Sequence, residues 1–264
     1  VVAERDWAVT PAPGGPYAAF LGGTTAAGAP IEDVASLQKS LVSVMVGMAA
    51  DRQLLELEAP VSAYLGTGWS HASAEDEAAI SIRHLLAMTS GLSPGLERQT
   101  QAGTTWRYNT RAYSKLVDVL EAVSGEAIGA LTHAWISAPL GMEDTGWQRR
   151  PWVTPEMDAN PLGLYTSAAD LVRFGTLMLQ GGEWQGRRLV SREFLQASVT
   201  PSQPFNPAYG YLWWLNGRPL RPEDGASHHD VLAPAAPGDL YAAQGALGRK
   251  LYVVPSLQLV VVRL

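Results

Sequence analysis

The chain has 264 residues, 47% of them hydrophobic and 17% charged, and a formal net charge of −6. That length and apolar content suffice for one globular domain with a sizeable core, and the acidic balance argues against nucleic acid and anionic membrane surfaces as partners. With no cysteine, disulfides, thiolate metal sites and a cysteine nucleophile are excluded.

The opening stretch "VVAERDWAVTPAPGG" lacks the basic and apolar regions of a signal peptide. No apolar run reaches the roughly 18 residues of a membrane span, so a soluble chain without membrane insertion is expected, its compartment and oligomeric state left open. "PAPGG" at 11–15 reads as a loop and "YAAFLGG" at 17–23 as a weak strand. Residues 36–55 then show the first clear helical pattern, opening with "SLQKS". On a helix, Ser36 and Lys39 share a face. Only three of the 19 basic residues are lysines, Lys39, Lys115 and Lys250, so a lysine set among Leu37, Leu41, Val44 and Met45 is unusual. Burying an ammonium is costly, whereas a lysine able to give up its proton can activate a neighbouring serine without a histidine. Ser-x-x-Lys arises by chance often enough that the motif alone does not identify a nucleophile.

"AISIRHLLAM" (79–88) predicts a second helix, followed by "GLSPG" at 91–95, which matches the Gly-x-Ser-x-Gly elbow of α/β-hydrolases. Its context disagrees. An elbow follows a strand, and the residue after Ser93 is Pro94, which has no N–H to give an oxyanion hole. Ser93 is therefore expected in a helix-ending turn. "GTTWRYNTRAYSKL" places Tyr108 and Thr110 just before a helix over 111–125, where a tyrosine near a lysine can relay a proton or can serve as an aromatic anchor beside a cap. A further helix is predicted over 167–182, and Gly125 and Gly181 stand where helix stops belong. His71, His84, His133, His228 and His229 show no metal-ligand spacing, and "HHD" at 228–230 reads as a solvated loop.

Toward the end, "YGYLWWLNG" (209–217), "RKLYVVP" (249–255) and "LQLVVVRL" (257–264) predict strands, and "QGALGRK" places Gly245 and Gly248 at a strand edge, where glycine marks either close approach or a bulge. Helices fill the middle and strands gather at the ends. An α+β fold is expected, an antiparallel sheet closed by the two chain ends (about 1–50 and 205–264) with a helical lobe (about 51–204) inserted, all within one catalytic domain spanning 1–264.

The order of these pieces, Ser-x-x-Lys on a helix, Tyr-x-Thr before a second helix and a glycine-bearing edge strand, resembles the serine β-lactamase and penicillin-binding-protein superfamily. Within it, the chain is similar to the class C-like branch of esterases, D-aminopeptidases and 6-aminohexanoate-dimer hydrolases. The likeness runs from "EDVASLQKSLVSVMVG" through "GWSHASAEDEAAISIRHLLAMTSGL", "GTTWRYNTRAYSKLVDVLEAVSG", "PLGMEDTGW", "LYTSAADLVRFGTLMLQGGEWQGRRLV" and "YGYLWWL" to "LGRKLYVVPSLQLVVVRL".

The resemblance implies a β-lactamase/transpeptidase-like fold and acyl-enzyme hydrolysis needing no cofactor or metal. Ser36 would be acylated, Lys39 would take its proton, and Tyr108 would share the base role. The oxyanion hole would be the backbone N–H groups of Ser36 and Ala246, with Thr110, Gln244, Gly245 and Arg249 contacting substrate. Three departures stand out. Thr110 occupies the third place of a motif that is usually Tyr-x-Asn. "AQG", Ala243 to Gly245, stands where a Lys-Thr-Gly is usual, so the cation that meets a substrate carboxylate is missing, with Arg249 four residues on as its nearest replacement. The chain begins just before the first motif's strands and stops inside "LVVVRL", whereas the family usually has flanking helices packed on the sheet, so either a shortened form or a stretch lacking those helices is expected. A small neutral ester or amide is the expected substrate. The alternatives are a true β-lactamase or D-alanyl-D-alanine peptidase, and a non-catalytic β-lactam- or peptidoglycan-binding module.

Overall fold

The structure, a computed structural model, describes residues 18–154, 157, 159–220 and 231–264. The expected "PAPGG" loop and the "HHD" cluster lie outside the described residues. The strands are β1 (Leu21–Thr24), β2 (Pro30–Asp33), β3 (Gly146–Arg149), β4 (Leu162–Thr166), β5 (Trp214–Leu215), β6 (Tyr241–Gln244), β7 (Lys250–Val254) and β8 (Leu259–Arg263). The main helices are α1 (Gln38–Asp51), α2 (Ile82–Leu86), α3 (Thr110–Ser124), α4 (Ala168–Leu179) and α5 (Arg192–Ser198).

One antiparallel sheet has the order β8-β7-β6-β5, and a second the order β1-β2-β4-β3. The fold is thus mixed, helices with antiparallel sheets, as expected. The described strands of the two chain ends do not share a sheet. All four residues of β1 are exposed and it pairs with β2, while β8 pairs with β7. Strands β3 and β4 were not legible in the sequence. β4, "LGLYT", is buried at four of its five positions and so shows no alternation of apolar and polar residues.

α1 is buried from Gln38 through Ala49. A helix apolar all round belongs at the centre of its surroundings, and α1 packs against α3, α5 and β6. α3 is amphipathic, burying Leu116, Val119 and Leu120. It starts where the Asn109 side chain accepts the Ala112 N–H at 2.9 Å and stops at Gly125, whose φ of 72° is the left-handed conformation a helix end favours. α4 lies on β7 and β8. Gly175 permits that approach, because a Cβ there would stand 2.6 Å from Val260 and 2.8 Å from Leu251. α4, and the strands β3 and β4 of the second sheet, fall within the stretch expected as the helical lobe. One continuous core runs from Val34 and Leu41 through Leu120 and Phe174 to Leu251 and Val253.

α2 is closed by a reciprocal cap. His84 donates its backbone N–H to Ser81 Oγ at 3.3 Å, and its Nδ1 accepts the Ser81 N–H at 3.1 Å. That ring nitrogen can accept only while unprotonated, and burial, ahead of the opposing pull of Glu58, lowers the His84 pKa below its ordinary 6.5. Above pH 6.5 both folded and unfolded chains keep this ring neutral. As pH falls below that value the unfolded chain takes up the proton first, so stability is lost from there downward. We expect the thermal midpoint to fall in this window, and His84→Asn, which keeps a capping acceptor, to flatten that part of the profile. An unchanged slope in His84→Asn would show that the ring contributes nothing to it.

Candidate active site

β2 ends at Asp33 and the chain turns sharply into a single 3-10 turn, Ala35–Leu37, before α1 begins. Ala35 adopts φ 50°, a left-handed conformation that costs a non-glycine residue on the order of 1–2 kcal/mol. Asp33 holds it there. Asp33 Oδ1 accepts the Ala35 N–H at 2.8 Å, and the wholly buried carboxylate is gripped by Arg150 through Nε–Oδ2 at 2.5 Å and Nη2–Oδ1 at 2.6 Å. Ser36 lies in the middle of this turn, half-buried, in the first helical turn, where backbone N–H groups have no acceptor within the helix.

Lys39 lies one turn on, only 3% exposed, with Nζ 3.1 Å from Ser36 Oγ. Among the described residues no carboxylate pairs with it. Its Nζ sits over two tyrosine rings instead, 4.9 Å from the centroid of Tyr108 and 4.8 Å from that of Tyr113. Burial pushes the Tyr113 and Tyr209 phenols well above their ordinary range, so both stay protonated and poorly suited to proton traffic. Tyr108, by contrast, keeps part of its surface open. It stacks on Trp214 at 6.0 Å and meets Tyr209 edge-on at 6.3 Å, while Trp106 meets Trp214 at 6.2 Å, so the neighbourhood is aromatic.

The opposite wall is the end of β6 and the turn into β7. Gly245 is glycine for a steric reason: a Cβ there would lie 2.2 Å from the Val34 carbonyl oxygen, two residues before Ser36. The strand can pass the turn that carries Ser36 this closely only without a side chain. Ala246, exposed, opens the short turn Ala246–Gly248, so its N–H likewise has no acceptor within that turn. Ser36, Lys39, Tyr108, Gly245 and Ala246 are therefore gathered along one line of contact between α1, the start of α3 and the end of β6.

The other expected substrate contacts stand differently. Gln244 faces Lys250 across the β6–β7 ladder, and its Oε1 accepts from Lys250 Nζ. Arg249 does not reach out as a replacement cation. It is 1% exposed, its Nη2 is 2.5 Å from Glu32 Oε2, and its guanidinium lies 4.5 Å over the Phe20 ring. A buried arginine with a carboxylate partner has its charge answered inside the protein. Thr110 begins α3, half-buried, and the cap is made by Asn109, whose Nδ2 also donates to the carbonyls of Leu92 (3.0 Å) and Ser93 (2.8 Å). Ser93 is not in a helix-ending turn: it lies seven residues past the end of α2 and opens a separate turn closed by the Leu96 N–H on its carbonyl, with its hydroxyl donating to the Glu97 carboxylate.

Asp33, Gln38 and Arg150 escaped the sequence reading. Gln38 accepts from Arg150 Nη2 at 3.0 Å and from the Leu164 N–H at 3.1 Å, and donates to the Leu162 carbonyl at 3.2 Å. A glutamine beside Lys39 at the start of a largely apolar helix was a signal for it. Nothing in the spacing could link Asp33 to Arg150, 117 positions apart. No group of three or more metal-ligating side chains occurs among the described residues, and no described helix is long and apolar enough to cross a membrane.

Comparison with known proteins bears on the fold and the family. An uncharacterized protein of Alkalihalophilus pseudofirmus is 24% identical over 254 residues, covering 87% of this chain and 72% of its own. Among solved structures, a β-lactamase from Mycobacterium bovis superposes with TM-score 0.65 at 20% identity, covering 89% of this chain and 78% of that one. A D-stereospecific amidohydrolase from Streptomyces superposes with TM-score 0.57 at 17% identity, covering 86% and 75%. The Beta-lactamase family model matches residues 14–264, so that the sharp turn into α1, the start of α3 and the β6–β7 edge all fall within it; the chain belongs to the Beta-lactamase family.

Proposed function

We propose that the protein is a serine acyl hydrolase that cleaves small neutral esters or amides through an acyl-enzyme on Ser36. The observation that carries this reading is the Lys39 amine, buried and 3.1 Å from Ser36 Oγ. Ser36 Oγ attacks the substrate carbonyl carbon while its proton passes to Lys39 Nζ. The carbonyl oxygen becomes an oxyanion, received by the N–H groups of Ser36 and Ala246, each worth on the order of 3 kcal/mol in the transition state. Collapse of the tetrahedral intermediate breaks the bond to the leaving group, which takes up the proton by way of Tyr108. Water then attacks the acyl-enzyme and gives a proton to the same pair, which passes it to Ser36 Oγ as the acyl–oxygen bond breaks and the acid leaves. Amide hydrolysis, the activity named for the Streptomyces neighbour, is of this chemical kind.

The preference for neutral substrates rests on charge. Ala243 and Gln244 offer no cation, Arg249 is turned onto Glu32, and the Lys250 ammonium is engaged by Gln244 Oε1. The aromatic surroundings of Tyr108 suit an apolar acyl or leaving group. Lacking a cation for the carboxylate of a penicillin or peptide costs about 2 kcal/mol, or roughly thirtyfold in kcat/KM, while neutral substrates lose nothing. We expect kcat/KM for p-nitrophenyl butyrate to exceed that for a chromogenic cephalosporin by at least this factor. A ratio favouring the cephalosporin would turn the reading to a β-lactamase or D-alanyl-D-alanine peptidase. Stoichiometric acylation without turnover would turn it to a binding module.

A further inference from the structure

Two consecutive carboxylates at the end of β2 each hold a buried arginine. Successive strand residues point to opposite faces, so Glu32 and Asp33 reach in opposite directions. Asp33 grips Arg150, and Arg150 in turn donates through Nη1 to the carbonyls of Asn160 (2.7 Å) and Leu162 (3.2 Å), fixing the Ala35–Ser36 turn to β4 and the segment before it. Glu32 grips Arg249, and Arg249 Nη1 donates to the Ala246 carbonyl at 3.3 Å. The Gly245 N–H donates to the Arg249 carbonyl at 2.8 Å, closing the loop that carries Ala246. All four charged side chains are buried: Glu32 is 6% exposed, Asp33 0%, Arg150 5% and Arg249 1%.

Buried ion pairs are poor stabilisers, because desolvation offsets most of their attraction. Their strength is directional: a guanidinium meets a carboxylate in one geometry. We propose that Glu32 and Arg249, with Asp33 and Arg150, are positioning residues that fix the two backbone donors of the oxyanion hole relative to each other. β2 is the shared bar of this frame. Asp33 sets the Ser36 N–H, Glu32 sets the Ala246 N–H through Arg249, and no more than one peptide separates the two anchors. The residue expected from sequence to meet the substrate's charge instead acts through the loop it holds. This inference rests on the Ser36 reading, and a hole of this kind works only when its donors are held to within about 0.5 Å.

The test is Arg249→Met beside the double variant Glu32→Gln/Arg249→Met, which leaves no lone buried charge and keeps the fold available if the single variant fails to fold. Ser36→Ala is the control. For each, kcat and KM for p-nitrophenyl butyrate are measured, with the inhibition constant of a short alkylboronic acid, whose tetrahedral adduct on the serine mimics the oxyanion intermediate. A misplaced donor is expected to lower kcat at least about tenfold with KM nearly unchanged, and to weaken the boronic acid by a similar factor. Arg249→Lys, which keeps a charge for Glu32, should recover part of both. If folded variants lose thermal stability but keep kcat and boronic acid affinity, the pair is structural only and the proposal is overturned. An active Ser36→Ala would overturn the reading beneath it, a distinct outcome because it does not involve Arg249.

Discussion

Ser36→Ala is expected to lower hydrolysis of p-nitrophenyl butyrate by at least about a thousandfold, to the level of a folded protein without its nucleophile. The hydroxyl is half-buried and its described partner is Lys39 Nζ. Losing that hydrogen bond costs on the order of 1 kcal/mol, so the thermal midpoint should move by only a few degrees. The strained turn that presents Ser36 is held by backbone and by Asp33, none of which the substitution touches. Loss of activity with the fold retained is therefore the signature of a nucleophile. Full activity in Ser36→Ala would remove the residue from the mechanism.

Lys39→Arg should be nearly as inactive as Lys39→Ala, the two lying within about tenfold of each other. Arginine keeps the charge but cannot give up its proton in a protein, so it cannot accept one from Ser36. The slot is also narrow, with tyrosine rings 4.9 and 4.8 Å from Nζ on two sides. A planar guanidinium placed there would stack on those rings rather than reach Ser36 Oγ. The check is kcat/KM for the same ester in both variants, with circular dichroism to confirm folding. A Lys39→Arg enzyme retaining most activity would show that Lys39 serves only as a cation.

The parts of this site that were legible in the sequence are those carried by local patterns. Ser36 and Lys39 are joined by helical spacing, and a lysine among apolar residues was conspicuous in a chain whose other cations are nearly all arginine. Tyr108 and Gly245 took on meaning from their order along the chain, since each by itself also fits an aromatic anchor or a bulge. What stayed hidden depends on contacts between distant segments. Arg249 could be read as a free cation because its partner, Glu32, stands 217 positions away. Arg150 carries no local motif, yet it grips the Asp33 carboxylate that holds the turn before Ser36. The second sheet was missed for a related reason: β3 and β4 are short and β4 is buried on both faces, so neither length nor alternation marks them. The separation of the two described chain ends into different sheets followed from pairings that no local pattern encodes.

The measurement that bears most directly on Ser36 as an acylated nucleophile is intact mass after incubation with a fluorophosphonate, followed by peptide mapping. The phosphorus forms a bond to the nucleophilic oxygen as fluoride leaves, so the protein records which hydroxyl is activated. We expect one adduct per chain, located on Ser36, and none on Ser36→Ala. An adduct on Ser93, or undiminished labelling of Ser36→Ala, would contradict the account.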